Sequence, residues 1–367
     1  MTTTTLSLTP LADMPRRWDV IADKPLAFVD AAAEVMSRHK ADGTRFDRRN
    51  VNLAGATIEV GDDGRTPYLV PPSADTGFAL RSHSFKQLTA LVNAGKARSY
   101  LEELPAPIAL DALNWSLRHN GSDGTTLRCA GDSVRAVVSD RFAALDDRPA
   151  MGAVYRYLRD AGTLDDFEVV AIASGITTNL RVVLKDTVEG PDGKGLRIGF
   201  DLRNSEVGTA SLVVRSVVYR MICSNGQIWS SPKSEQRWRH LGDPARMHED
   251  LADVMPSILD EAHGQVDRYQ AAHDVTIHIG EARSRLGRLS LTGAQRREAL
   301  REAAVEAEII GVADATDAAM LALPEDTKVT LWHLVNGVTA MARETSNTDT
   351  RLLLEREAGT LLARMAA

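Results

Sequence analysis

The spacing of apolar residues changes twice along the chain. In the first third they recur at three and four. From about Thr126 the period falls to two, and after Trp238 it returns to helical spacing. Residues 1 to about 20 read as a loose arm. Leu26, Val29, Ala33 and Met36 predict a helix from Pro25 to His39, with Pro25 suited to a first helical position. Asp62-Asp63-Gly64 marks a turn between short strand-like runs. Phe85, Leu88, Leu91 and Val92 predict one helix over Ser84 to Leu104, which Pro105 and Pro107 break. Leu110, Leu113 and Leu117 predict another, ending near His119 ahead of Asn120-Gly121.

In the middle, Leu127-Arg128-Cys129, a turn at Gly131-Asp132 and the run Val134 to Phe142 predict a β-hairpin. A helix is expected from about Met151 to Leu158, then strands at Phe167 to Ile172 and Leu180 to Leu184. Pro191-Asp192-Gly193 forms a further hairpin tip. The clearest strand is Leu196 to Leu202, where Leu196, Ile198, Phe200 and Leu202 share one face. Ala210 to Ile222 fits either a strand or a helical spacing of four. Its Val and Ile content and the Asn225-Gly226 ending favour a strand.

Beyond Trp238, Met247, Leu251, Val254, Ile258, Val266 and Tyr269 form one helical stripe. Thr292 and Gln295 form a capping box ahead of a helix reaching about Ile310, and two more helices are expected at Thr330 to Met341 and Arg351 to Met365. The whole predicts an α+β fold. Antiparallel hairpins occupy a β-rich middle flanked by helices, and the C-terminal half is helical. The expected division is an N-terminal arm with a small α/β segment (1–77), an α+β core (78–242) and a helical region (243–367).

Composition excludes several classes. The chain has 367 residues, 44% hydrophobic and 25% charged, which is ordinary globular material. A net charge of −7 rules out nucleic-acid binding by bulk charge, so any such contact needs a local basic patch. Two cysteines, Cys129 and Cys223, make no disulfide framework or zinc site and read as buried thiols. No signal sequence and no membrane-length apolar run are present, so a cytoplasmic location is expected.

Catalytic motifs are not found. Gly190 to Gly195 is glycine-rich with Lys194, but a strand follows it, as in a hairpin and not a phosphate loop. His273 and His278 are five apart, the wrong spacing for one helical metal face. Asp140, Asp201 and Glu206 fall on or beside neighbouring predicted strands and form the one candidate acidic set for a divalent ion. The strongest constellation is basic and aromatic. Arg203, Arg215, Arg220, Lys233, Arg237 and Arg239 interleave with Trp229 and Trp238, against only Glu206 and Glu235. Cations that track a backbone, beside rings on which bases stack, are the elements of a single-strand surface. A second basic run comprises Arg283, Arg285, Arg288, Arg296, Arg297 and Arg301. Asn204 to Gly208 and Ser224-Asn225-Gly226 are turn-prone pieces around the long β-branched strand.

The stretch Phe85 to Leu104, PAPIALDALNWSL, LRC, VRAVVSDRFAALDD, NSEVGTASLVV, MICSNGQIW, LWHLVNGVTAMAR and LLLEREAGTLL, taken in order, resembles the phage/plasmid-like family catalogued as domain of unknown function nine hundred thirty-two. The resemblance runs from about Phe78 to Leu362. It implies mobile-element biology and no defined reaction. It draws attention to Ser139, Asp140 and Arg141, to Asn204, Ser205, Glu206 and Gly208, to Cys223, Ser224, Asn225 and Gly226, and to Trp332 and Asn336. The expected function is therefore a nucleic-acid-binding protein, with single-stranded DNA the favoured partner. It would bind or anneal strands as a homo-oligomer, without bond chemistry and without a cofactor. The alternatives are a metal-dependent nuclease using Asp140, Asp201 and Glu206, and a non-enzymatic assembly protein.

Overall fold

The computed structural model describes residues 7–14, 17–21, 23–72, 74–220, 227–229, 234–345 and 347–364. The fold is α+β, as the sequence predicts, with two large sheets and a helical C-terminal part.

Strand β1 (Arg17–Val20) and helix α1 (Phe28–Ala41) come first and join the second sheet. The chain then builds the first sheet from β2 (Arg45–Val51), β3 (Thr57–Val60), β4 (Pro67–Val70), β5 (Phe78–Leu80), β6 (Thr125–Ala130) and β7 (Ser133–Ser139). Helices α2 (Ser82–Leu91), α3 (Arg98–Glu103) and α4 (Ala106–Asn120) lie between β5 and β6. Strand order is β2-β6-β7-β5-β4-β3, antiparallel except for β5 against β7. Asp63 builds the β3–β4 turn by accepting from the backbone N–H of Arg65 and Thr66, both at 2.8 Å, while Gly64 takes a positive φ. Ile58, Leu69, Leu80, Leu127 and Val134 of the sheet, with Leu53 of the β2–β3 connection, bury against Phe85 and Leu88 of α2 and Leu113 and Leu117 of α4.

After α5 (Asp147–Asp160) the second sheet follows: β8 (Phe167–Ser174), β9 (Thr178–Leu184), β10 (Val188–Glu189), β11 (Gly195–Asn204), β12 (Leu212–Arg220), β13 (Gln227–Trp229) and β14 (Gln236–Trp238). Its main order is β1-β8-β9-β11-β12-β13, with β10 on β11 and β14 on β12. One face, with Leu180, Val182, Phe200, Leu202, Leu212 and Val214, buries against α1, α5 and the 31-residue helix α6 (Pro244–Asp274). The C-terminal part comprises β15 (Thr276–His278), α7 (Ile279–Gly287), α8 (Gly293–Glu306), α9 (Asp317–Ala322), β16 (Lys328–Thr330), α10 (Leu331–Glu344) and α11 (Thr348–Ala363). These helices enclose a third core together with Tyr269 of α6 and with Leu196, Ile198 and Val218 of the second sheet. The expected capping box at Thr292 forms, with Gln295 N–H at 3.2 Å and the return bond from Thr292 N–H at 2.8 Å.

Four expectations need correction. The arm over residues 1 to about 20 is not loose where described, since Arg17–Val20 pairs with β8 and Leu8 is buried. The helix over Ser84 to Leu104 is two helices, because Asn93 adopts φ of 60° and ends the first. A boundary at 77/78 cuts the first sheet between the paired strands β4 and β5. A boundary at 242/243 separates α6 from the sheet it covers, and α6 serves both the second and third cores. The doubtful segment Ala210 to Ile222 is a strand over its described part. Every residue of β12 is buried, which erases the alternation that identifies a one-sided strand.

Candidate functional site

The loop Asn204 to Gly208, between β11 and β12, reaches out of the second sheet into the first. Gly208 supplies the positive φ of 79° that turns the chain back. The carboxylate of Glu206 accepts from Arg45 of β2, from Arg135 Nη1 of β7 at 3.2 Å and from the backbone N–H of Asp147 at 3.1 Å. Its carbonyl accepts from Arg128 Nη1 of β6 at 2.6 Å. Val207 packs on Ala136 and Val138, and its carbonyl faces His83 Nε2 and accepts from Gln87 Nε2, both at 3.0 Å. NSEVG therefore fastens one sheet to the other.

Beneath this loop, His39 of α1 lies between two carboxylates. Its Nε2 is 3.3 Å from Asp147 Oδ2 and its Nδ1 is 4.0 Å from Glu206 Oε1. Asp147 also accepts from Thr178 Oγ1 at 2.6 Å and from Asn204 Nδ2 at 2.8 Å. Burial, then the negative charge of Glu206, push the Asp147 carboxyl up to about 7. Burial, then the positive charge of Arg45, hold His39 down to about 4. Burial opposes ionisation of Glu206, but Arg45 and Arg135 overcome it and lower its pKa.

His39, Asp147 and Glu206 bring ligand-type atoms within 4.8 Å of one another, a grouping that sequence spacing does not reveal. Their geometry suits shared protons better than a cation. The two nitrogens of His39 face different carboxylates, the raised Asp147 carboxyl holds a proton, and Arg45 and Arg135 already supply positive charge to Glu206.

The acidic set Asp140, Asp201 and Glu206 is not a site. Asp201 is buried between Arg181 Nε at 2.8 Å and Arg215 Nη2 at 2.9 Å, and both arginines also meet Glu355 of α11. Glu206 is held as described, and Asp140 is exposed at the end of β7. Charge neutralisation by arginine fixes two of the three acids for structural ends.

The predicted nucleic-acid residues divide. Arg215 and Arg220 are corrections: both are buried in ion pairs, Arg220 with Asp192 at 2.6 Å and Glu306 at 3.3 Å. Arg203 is half-buried and pairs with Asp349 at 2.9 Å. The Trp229 side chain and Lys233 lie outside the described residues, as do Cys223, Ser224, Asn225 and Gly226. Arg237 on β14 and Arg239 just beyond its end are exposed. The strand period turns Trp238 the other way, where it packs half-buried on the second core, so it offers no stacking face beside them.

Arg237 and Arg239 line a cavity of about 640 Å³ between the two sheets, with Gln87, Leu91, Val138 and Ala210 on its walls. No acid lines it, though Arg237 also reaches Glu235 at 2.6 Å. A second cavity, of about 820 Å³, shares Phe142 and Leu241 with the first and is lined by Arg49, Arg141, Asp47 and Asp140. The wall between them is the bridge of Phe142 with Leu241, steadied by His240 stacked on Phe142 at 4.7 Å. Asp47 is engaged by Arg128 at 3.2 Å. Among the described residues Arg49, Arg141 and Arg239 make no ion pair. The run is thus a groove with four exposed arginines. Sequence reasoning found Arg237 and Arg239 and noted Arg141, but it missed Arg49, which only the pairing of β2 with β6 brings alongside.

Other candidates resolve simply. Gly190 to Gly195 is a hairpin turn closed by the Gly190 N–H on the Lys194 carbonyl at 2.8 Å. His273 and His278 are exposed. Burial pushes the Cys129 thiol up to about 12, as for an inert core residue. Asn336 is buried, accepting from the Tyr269 hydroxyl at 2.9 Å and donating to Glu306 at 3.0 Å. Among the described residues no helix is long and apolar enough to cross a membrane. Comparison with protein-family models, with curated proteins and with solved structures finds no match for this chain.

Proposed function

We propose that this chain is a nucleic-acid-binding protein that holds a single strand along the groove between its two sheets, without breaking bonds. The observation that carries the reading is the placement of Arg237 on β14 and of Arg239 just beyond its end, both exposed and lining a cavity with no acidic lining residue. Arg49 and Arg141 line the adjoining cavity beside Asp47, which Arg128 already engages, and Asp140. Cations spaced along a groove neutralise successive phosphates, and the apolar walls at Leu91, Val138 and Ala210 suit unstacked bases. A cavity of about 640 Å³ has room for bases but not for a duplex. The resemblance to phage and plasmid proteins favours DNA and strand annealing within a mobile element. Annealing would use several copies, so a homo-oligomer belongs to the same proposal.

Fluorescence anisotropy tests this with labelled single- and double-stranded DNA and RNA of one sequence in EDTA, followed by incubation with Mg²⁺. The proposal expects tighter binding of single strands than of duplex, and intact oligonucleotide afterwards. Equal or absent binding would leave the assembly reading in its place, and Mg²⁺-dependent degradation would overturn the non-catalytic assignment.

A further inference from the structure

The third core opens to solvent through a cavity of about 280 Å³ between α7, α8 and α9, remote in sequence from the groove residues. Its floor is made by Leu286, Leu300 and Met320, members of the core, with Leu321 at the lip 75% exposed. Around this floor stand Arg283, Arg296 and Arg297, with Asp317 the one acid in the lining. Arg283 also pairs with Glu325, outside the lining, at 3.6 Å, so the three cations exceed the nearby acids by one charge. Arg283 braces the wall by donating to the Met320 carbonyl at 3.0 Å. Arg296 donates one Nη to the Leu289 carbonyl at 3.3 Å, while its Nε is buried with no acceptor among the described residues. Arg297 faces Asp317 at 3.6 Å, with both side chains more than half exposed and free to rearrange.

These features select a ligand class. A purely apolar molecule would cover the floor and leave Arg296, which makes no ion pair among the described residues, without counter-charge. A phosphodiester would meet the cations and leave the leucines facing water. A molecule with an apolar body and a carboxylate end satisfies both, because guanidinium forks pair bidentately with carboxylates. We infer that this cavity binds a small amphiphilic carboxylate, its chain on Leu286, Leu300 and Met320 and its head group among Arg283, Arg296 and Arg297. The volume lies at the small end for ligand pockets and suits a chain of roughly eight to ten carbons. This inference is independent of the groove and of nucleic acid.

Isothermal titration of the full chain with decanoate, decanol and decylamine, all below their aggregation limits, tests it. Decanoate should saturate well below about 1 mM, at least tenfold tighter than the alcohol, with no uptake of the amine. Arg297→Glu and Leu321→Asp change exposed residues, so the melting temperature should hold while each weakens decanoate at least tenfold. No saturation below about 1 mM would overturn the site. So would decanol binding as tightly as decanoate, or variants that bind as the parent does.

Discussion

Replacing His39 or Asp147 singly should uncover two opposite pH dependences that cancel in the parent protein. In the folded chain His39 titrates at about 4 and Asp147 at about 7, against ordinary values of 6.5 and 3.8. Between those limits the folded pair keeps His39 neutral and Asp147 protonated. The unfolded chain has His39 protonated and Asp147 ionised. Both states hold one proton on the pair, so it adds no slope to stability there. His39→Gln leaves the raised carboxyl alone. Its contribution is full below the ordinary Asp value and is lost as pH rises toward 7. Asp147→Asn leaves the depressed imidazole alone, whose contribution is full above 6.5 and is lost as pH falls toward 4. Each slope is roughly 1.4 kcal/mol per pH unit, so between pH 4.5 and 6 the first variant should lose roughly 2 kcal/mol and the second gain roughly 2 kcal/mol. Urea unfolding followed by circular dichroism, read as the difference from the parent at each pH, measures this directly. Other titrating groups are common to all three proteins and drop out. Two variants whose stabilities run parallel to the parent across that range would refute the shared-proton arrangement.

Other substitutions probe the packing that holds the groove and the helical part. Gly337→Ala would place a methyl carbon 2.2 Å from the Ala299 carbonyl oxygen and 3.0 Å from the Ala303 nitrogen. Helix α10 would have to move off α8, so a loss of about 1–3 kcal/mol or more is expected, and an unchanged denaturant midpoint would show that the helices adjust freely. Trp332 is buried against Tyr269, with the Arg220 guanidinium 4.8 Å from its ring centre. Trp332→Ala should cost about 3–5 kcal/mol, seen as a lower melting temperature. Asp201→Asn leaves Arg181 and Arg215 with one counter-charge fewer in a buried network, and a loss of about 3–5 kcal/mol follows, measured by the same unfolding curve.

Local features were legible in the sequence wherever a single chain segment decides them. The hairpins at Gly131 and Gly193, the capping box at Thr292 and the strand Leu196 to Leu202 all form. Features that depend on distant partners were not. The apolar run of β12 lost its alternation because the sheet is covered on both faces, with Glu355 of α11 reaching the reverse side. Arg215 and Arg220 looked like an exposed basic face because their counter-ions, Asp201, Glu355, Asp192 and Glu306, arrive from other elements. His39, Asp147 and Glu206 sit far apart in sequence and meet only where α1, α5 and the NSEVG loop converge. One signal was available in advance: Arg237-Trp238-Arg239 alternates as a strand does, which already placed the cations and the ring on opposite faces.

The salt dependence of single-strand binding tests the groove most directly. Each phosphate neutralised on a single strand contributes roughly −0.7 to the slope of log K against log salt, so four arginines predict roughly −3. The double variant Arg237→Ala, Arg239→Ala removes two exposed cations whose loss should leave the melting temperature unchanged. Anisotropy titrations across a salt series should then show weaker binding and a slope reduced by roughly half. Binding and slope equal to those of the parent, in a variant that melts at the same temperature, would contradict a strand held in this groove.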